Sequence, residues 1–190
     1  MPIATQKAAQ RAAGKAARRA MSLPQRQAAS RALCERVAQL DAFRSARTVL
    51  LYAAFGAEAD LTALADTARA LGKRVAYPVC GEGFSLTAAI PAPDGWEVGQ
   101  YGIRTPVLAH AALLEPEQLD LVLVPCTAFD ADCWRVGMGK GYYDRYLPRC
   151  TKAQTIGIAF DAQRVDHAAV DEYDRRLDAF ATERGIYTWK

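Results

Sequence analysis

Apolar and polar positions recur along this chain with two different periods, and the points where the period changes mark out its elements. Residues 4–20 are mostly Ala, Lys, Arg and Gln, all strong helix formers, which predicts a helix there. Leu23-Pro24 interrupts it, and Ser22 stands where it can cap a second helix over 25–40, with Ala29, Leu33, Val37 and Leu40 on one face. The stretch Thr48-Val49-Leu50-Leu51-Tyr52-Ala53-Ala54 is almost continuously apolar, the pattern of a short strand covered on both faces. A helix is predicted over 60–71, stopped by Gly72, and a strand over Arg74–Pro78.

The middle of the chain reads differently. Gly81-Glu82-Gly83, the run Phe84 to Ile90, and then Pro91, Pro93 and Gly95 predict an edge strand among irregular loops. Regularity returns with Leu119–Pro125, the clearest buried strand. It is followed by a helix over 141–148, a strand over 155–160 and a last short strand near 179–182. Strands alternating with helices predict a three-layer α/β/α arrangement with a mostly parallel, Rossmann-like sheet. Sheets of this kind bind ligands beyond the carboxyl ends of their strands. That rule points to the segments after Tyr52, Pro78, Val124 and Phe160.

Length and composition narrow the class. A chain of 190 residues, 51% hydrophobic and 24% charged, suits a single domain over 1–190 with a real core. No apolar run reaches the roughly 18 residues that span a bilayer, and the N-terminus lacks the apolar segment of a secretory signal. The five cysteines include no CxxC pair, which argues against zinc and against a disulfide framework and fits reduced thiols in a cytoplasm. Charge is uneven. Residues 1–36 hold eight Lys or Arg against one acid, Glu35, while the remainder is slightly acidic. A basic segment of this kind suits an anionic partner, whether phosphates, nucleic acid or an acidic surface, or else it is a solvated helix face. Its Arg- and Ala-rich composition is also that of an organelle transit peptide.

The chemistry concentrates in Arg135-Val136-Gly137-Met138-Gly139-Lys140-Gly141-Tyr142-Tyr143-Asp144-Arg145. Three alternate glycines follow the best strand and precede a helix. Glycine lets backbone N–H groups approach an anion, and a helix start adds partial positive charge. Arg135 and Lys140 supply full charges for phosphate, and Asp144 is a hard oxygen ligand suited to magnesium. The stretch is neither a GxxxxGK[ST] P-loop nor a dinucleotide-binding GxGxxG, and a bare Gly-x-Gly-x-Gly also occurs in flexible turns.

Pro125-Cys126-Thr127-Ala128-Phe129-Asp130 followed by RVGMGKGYYDRYL resembles the signature of the 5-formyltetrahydrofolate cyclo-ligase family. The likeness extends, in the family's order, over Lys7 and Arg11, Leu51-Tyr52 through Glu58 to Asp60, Gly102 to Pro106, Ile156 to Asp161 with Gln163, and Asp174 with Asp178. Three places depart from it. Cys126 stands where the family usually has Gly, Cys133-Trp134 where it has Gly-Asn, and Ala168-Ala169 where it has an apolar residue and Pro.

The resemblance implies an enzyme, a carbon–nitrogen ligase that closes a ring. It would use ATP as co-substrate and Mg2+ as cofactor to convert 5-formyltetrahydrofolate to 5,10-methenyltetrahydrofolate through a phosphorylated formyl (iminium phosphate) intermediate. By the same resemblance Lys140 and Arg135 are catalytic. Lys7, Arg11, Arg135, Val136, Gly137, Met138, Gly139, Lys140, Gly141, Tyr142 and Tyr143 bind ATP, with the helix over 4–20 contributing to that site. Ala53, Phe55, Glu58, Met138, Gly139, Lys140, Gly141 and Tyr142 bind the folate, with Trp96, Tyr101 and Gly102 near the same cleft, and Asp144 and Asp178 hold the metal. Asp130 and Asp174 also match family positions, although both residue types serve equally in turns and caps. His110 and His167 receive no role. The implied partners are small molecules, with a monomer in the cytoplasm and no nucleic acid or membrane. The competing readings are a non-catalytic relative that holds folate or nucleotide, and an RNA-binding protein using the basic N-terminal helix.

Overall fold

The computed structural model describes residues 1–189. Helix α1 (Ile3–Ala20) and helix α2 (Leu23–Ala38) are divided where Ser22 accepts the Gln25 N–H and Gln25 returns a bond to the Ser22 N–H. This reciprocal cap ends one helix and starts the next. A short α3 (Asp41–Ser45) begins at Leu40, so the second helix stops two residues earlier than its apolar spacing predicts. Then come β1 (Thr48–Leu50), α4 (Thr62–Ala70), β2 (Arg74–Cys80), β3 (Leu86–Ile90), β4 (Trp96–Val98), β5 (Arg104–Pro106), β6 (Ala112–Leu114) and β7 (Leu121–Pro125). The chain closes with β8 (Ala128–Phe129), β9 (Arg135–Val136), α5 (Tyr142–Tyr146), β10 (Gln154–Ile158), β11 (Ala179–Ala181) and β12 (Ile186–Thr188).

The main sheet runs β12-β11-β10-β7-β1-β2-β3-β6. Its centre, from β11 to β2, is parallel, while β12, β3 and β6 join antiparallel. The central strands alternate their side chains between two cores, as the two-residue period requires. Val49, Leu51, Leu121 and Leu123 pack under α2, α3 and α4 with Leu33, Val37, Phe43 and Leu64. Leu50, Val122 and Val124 face the other way, against Tyr146, Leu147 and Phe129. This second face is covered by α5 and 3₁₀ turns, so it is the thinner helical layer.

Two expectations are corrected. The segment Phe84–Ile90 does not supply an edge strand. β3 lies inside the sheet, between β2 and β6, and β6 is the edge. The predicted strand over 48–54 pairs only through Leu50 and then one further backbone bond, Leu51 N–H to Ala76. Residues 51–54 run on as an extended segment beyond the carboxyl end of the sheet.

The order places β2 on one side of β1 and β7 on the other. The chain therefore reverses its winding between β1 and β7, and a crevice opens where the two carboxyl ends diverge. Helix α1 packs across this end, against β8, β9 and the 3₁₀ turn Asp161–Gln163. The approach is close at Gly14, where an added Cβ would lie 1.8 Å from the Thr127 carbonyl oxygen.

Candidate active site

A cleft of about 1190 Å³ occupies the switch point. Tyr52, Ala53, Phe55 and Glu58 reach it from the end of β1, Pro78 to Cys80 from β2, and Tyr101 and Arg104 from the β4–β5 hairpin. Pro125 and Cys126 form its base, the glycine loop Gly137–Gly141 one wall, and Lys7 and Arg11 of α1 part of its rim.

The glycine loop leaves a two-stranded hairpin, β8–β9. Three carbonyls in and beside the loop are tied back. Val136 accepts the Thr127 hydroxyl at 2.7 Å, Gly137 accepts Arg11 Nε at 2.9 Å, and Lys140 accepts Arg145 Nη1 at 2.8 Å. Among the described residues, no protein acceptor takes the N–H groups of Met138, Gly139 or Lys140. Successive unclaimed N–H groups in a glycine turn form a concavity for an anion. Gly139 has φ +97 and Gly141 φ +69, conformations that side chains rarely adopt, and Gly141 is the N-cap of α5. The Phe84 ring, held at φ +59, lies 5.7 Å from Lys140 Nζ and 5.3 Å from the Arg145 guanidinium carbon.

Arg135 is 3% exposed and donates from Nη2 to Asp144 Oδ1 at 2.7 Å. Its Nε and the hydroxyl of Tyr143 are buried without a partner. Lys7 sits between Asp171 (2.7 Å) and Asp174 (2.5 Å). Burial alone would push the ammonium's pKa down, but the bonds to both carboxylates leave it above its ordinary value, and Asp171 is lowered by the same contact. Glu58 accepts the Phe55 N–H at 3.1 Å and faces Arg18 Nη1 at 3.6 Å. Burial raises its pKa, against the pull of the Phe55 N–H, Arg18 and Lys15.

Most of the residues singled out from the sequence line one cleft: Lys7, Arg11, Ala53, Phe55, Glu58, Arg135, Gly137, Met138, Gly139, Lys140, Gly141, Tyr142, Tyr143 and Asp144. Tyr101 joins them, while a Cβ added at Gly102 would lie 3.9 Å from the Phe55 ring. Three residues are placed otherwise. Val136 is buried against Ala128 and Ala168 and offers the loop only its carbonyl. Trp96 packs edge-on to Tyr77 in a neighbouring groove, under the Arg104 guanidinium. Asp178 precedes β11, at the amino end of the parallel strands, where its carboxylate accepts both the N–H and the hydroxyl of Thr155. It is therefore separated from Asp144 by the length of the sheet and does not line the cleft.

Asp130 is a loop organiser, accepting the N–H groups of Asp132, Trp134 and Ala168. The departures from the family pattern also have local explanations. Cys133 adopts φ +66, the left-handed conformation that explains why glycine is usual there. Ala169 uses the N–H that a proline would lack, donating to Gln10 of α1 at 2.8 Å.

Sequence reasoning missed Arg18, Asp171 and the Phe84 ring. Arg18 carried a signal. Lys7, Arg11, Gly14 and Arg18 fall at i, i+4, i+7 and i+11, one face of a helix. Phe84 carried none, because its contacts depend on a tertiary approach.

The model of the 5-formyltetrahydrofolate cyclo-ligase family matches residues 3–183. The 5-formyltetrahydrofolate cyclo-ligase of Escherichia coli K12 is 30% identical over 177 residues, covering 90% of this chain and 97% of that protein. The enzyme of the same name from Mycolicibacterium smegmatis is 35% identical over 154 residues, covering 75% and 77%. Among solved structures, the 5,10-methenyltetrahydrofolate synthetase of Aquifex aeolicus superimposes with a TM-score of 0.84 at 30% identity, covering 97% of this chain and 93% of that one. The synthetase of Mycoplasma pneumoniae gives 0.76 at 26% identity, covering 93% and 98%. With a family match along nearly its whole length and relatives of the same size and fold, this chain belongs to the 5-formyltetrahydrofolate cyclo-ligase family.

Proposed function

We propose that the chain catalyses the ATP-dependent closure of 5-formyltetrahydrofolate to 5,10-methenyltetrahydrofolate, releasing ADP and phosphate. Family membership supports the reaction. The observation that carries its location is the unclaimed N–H row of Met138, Gly139 and Lys140 beside Arg11, Lys140 and Arg135. Row and cations together are a receptacle for the phosphates of ATP.

In this reading the formyl oxygen attacks the γ-phosphorus and the bond to ADP breaks. The resulting iminium phosphate has a leaving group that an amide oxygen lacks. The position-10 nitrogen then attacks the activated carbon, loses its proton, and phosphate departs. Positioning and charge stabilisation carry such phosphoryl transfer. Lys140 and Arg135 compensate charge growing on the transferred group, and the glycine loop admits it without side-chain obstruction. Glu58, at the base of the opposite wall, accepts from the amino-pyrimidine edge of the folate, with Phe55 and Tyr101 beside the ring.

Magnesium fits as part of the nucleotide complex rather than as a resident ion. No cluster of three His, Cys, Asp or Glu among the described residues is arranged to hold a metal. Nucleotide-bound Mg2+ needs only one or two carboxylates together with the phosphates. Asp144 would hold it at the cleft, where it would supply charge neutralisation to the phosphates. Asp178 belongs to the sheet and takes no part.

The basic helix is explained by the same reading. Lys7 and Arg11 line the cleft and Arg18 is buried against Glu58, which argues against their forming an RNA-binding face. No helix among the described residues is long and apolar enough to cross a membrane. The decisive assay mixes the protein with 5-formyltetrahydrofolate and Mg-ATP and follows the absorbance of the methenyl product. Absence of product from folded protein would refute the reading.

A further inference from the structure

Arg18 is 5% exposed near the end of α1, and nothing in the chemistry above requires a cation so deep. Its guanidinium Nη1 lies 3.6 Å from Glu58 Oε1 and 3.4 Å from the Cys126 carbonyl oxygen. The Cys126 carbonyl is fixed independently by Gln163 Nε2 at 3.0 Å. Arg18 is therefore braced on the end of β7 while it faces a carboxylate at the end of β1. The other Glu58 oxygen accepts the Phe55 N–H. Each carboxylate oxygen retains lone pairs for further donors, so this arrangement orients Glu58 without saturating it.

We propose that Arg18 is a positioning residue of the folate subsite, holding the Glu58 carboxylate as an acceptor for the ring edge of the substrate. The inference rests on the reading of Glu58 given above. Its physical basis is competition at one group. Burial favours the neutral acid, which has a proton where the substrate's N–H needs a lone pair, and Arg18 favours the anion. Other charged and titratable groups also face Glu58. Lys15 is a second cation of α1, and Arg104 lines the same cleft from β5. The Cys126 thiol is pushed up to about 12 by burial, and burial likewise raises the Tyr52 and Tyr143 hydroxyls. Loss of Arg18 should therefore appear as a protonation effect on Glu58 alone.

The test compares Arg18→Met, Arg18→Lys, Glu58→Gln and the double variant Arg18→Met/Glu58→Gln, with circular dichroism as the folding control. Arg18→Met should raise the KM for 5-formyltetrahydrofolate about tenfold while kcat changes about twofold or less. The rise should be larger at the acid end of the assay range than at its alkaline end, because without the Arg18 cation burial raises the Glu58 carboxyl further and favours its neutral form. Arg18→Lys should recover most of the affinity. In the Glu58→Gln background, Arg18→Met should add about twofold or less, with a flat pH profile, as expected for coupled groups. A pH-independent loss of the same size in both backgrounds would make Arg18 a structural latch for α1 and overturn the inference. The inference is equally overturned if Glu58→Gln raises the KM while Arg18→Met does not. If Glu58→Gln leaves the KM unchanged, the reading of Glu58 itself fails and the inference with it. Should Arg18→Met not fold, Arg18→Lys and Arg18→Gln measured over the same pH range make the same comparison.

Discussion

Gly14→Ala reverses what helix chemistry alone would predict. Gly14 is in the middle of α1, where alanine is favoured over glycine by about 1 kcal/mol, so an isolated helix would be stabilised. In the folded protein the new Cβ would meet the Thr127 carbonyl oxygen at 1.8 Å, whereas real Cβ contacts essentially never fall below 3.0 Å. The obstacle is backbone, and it belongs to a segment pinned by Gln163 and by the Thr127 hydroxyl on Val136. The helix must therefore lift. Overpacking of this kind costs about 1–3 kcal/mol, which outweighs the propensity gain. Lys7, Arg11 and Arg18 move with it, and a displacement of roughly 1 Å at positioning groups can cost on the order of a hundredfold in rate. We expect Gly14→Ala to lower the unfolding midpoint in urea and to raise the KM for both ATP and the folate. A variant stabilised by about 1 kcal/mol with unchanged kinetics would show that α1 does not rest on Thr127.

Other outcomes follow from the same geometry. Lys140→Met should keep the loop's shape but lose about 3 kcal/mol of transition-state stabilisation, read as kcat/KM for ATP in single turnovers. Gly139→Ala, placed at φ +97 with its Cβ 3.3 Å from the Arg11 guanidinium carbon, should impair ATP use more than folate binding, which equilibrium titration of each ligand would reveal. Asp178→Asn should lower thermal stability yet leave the magnesium dependence of the rate unchanged, whereas Asp144→Asn should raise the magnesium concentration needed for half-maximal rate. The Lys7–Asp171 pair has a defined pH window. Asp171 is lowered from 3.8, so its contribution is present above that value and lost as pH falls through the depressed one. Lys7 is raised from 10.5, so its contribution is full below 10.5 and lost only as pH rises past the folded value. Asp171→Asn should therefore be less stable than the parent at neutral pH, and the two unfolding curves should converge in acid.

The sheet was readable because its central strands are unbroken apolar runs. Leu121 to Val124 and Val49 to Leu51 are apolar at successive positions, as strands covered on both faces require. The glycine loop was readable because three alternate glycines with Arg, Lys and Asp leave few chemical alternatives. What the sequence hid was tertiary. Two-residue strands such as β8 and β9 have no measurable period, and β6 turned β3 from an edge into an interior strand by a long-range pairing. Asp178 matched a family pattern but lies away from the cleft. A carboxylate two sequence motifs away reads the same whether it faces a ligand or caps Thr155, and only the strand direction separates the two.

The attachment of α1 to the far end of the chain has a consequence for biosynthesis. Lys7 and Gln10 bind Asp171, His167 and Ala169, partners some 160 positions downstream. On the ribosome the helix emerges before its receptor, by roughly 8–30 s at ordinary elongation rates. Throughout that interval a basic, Ala-rich segment waits beside anionic ribosomal RNA with its carboxylate partners unmade. The cleft is thus completed only once residues 167–174 have been made, and a product truncated before them would keep most of its sheet but not the clasp that holds its cationic helix.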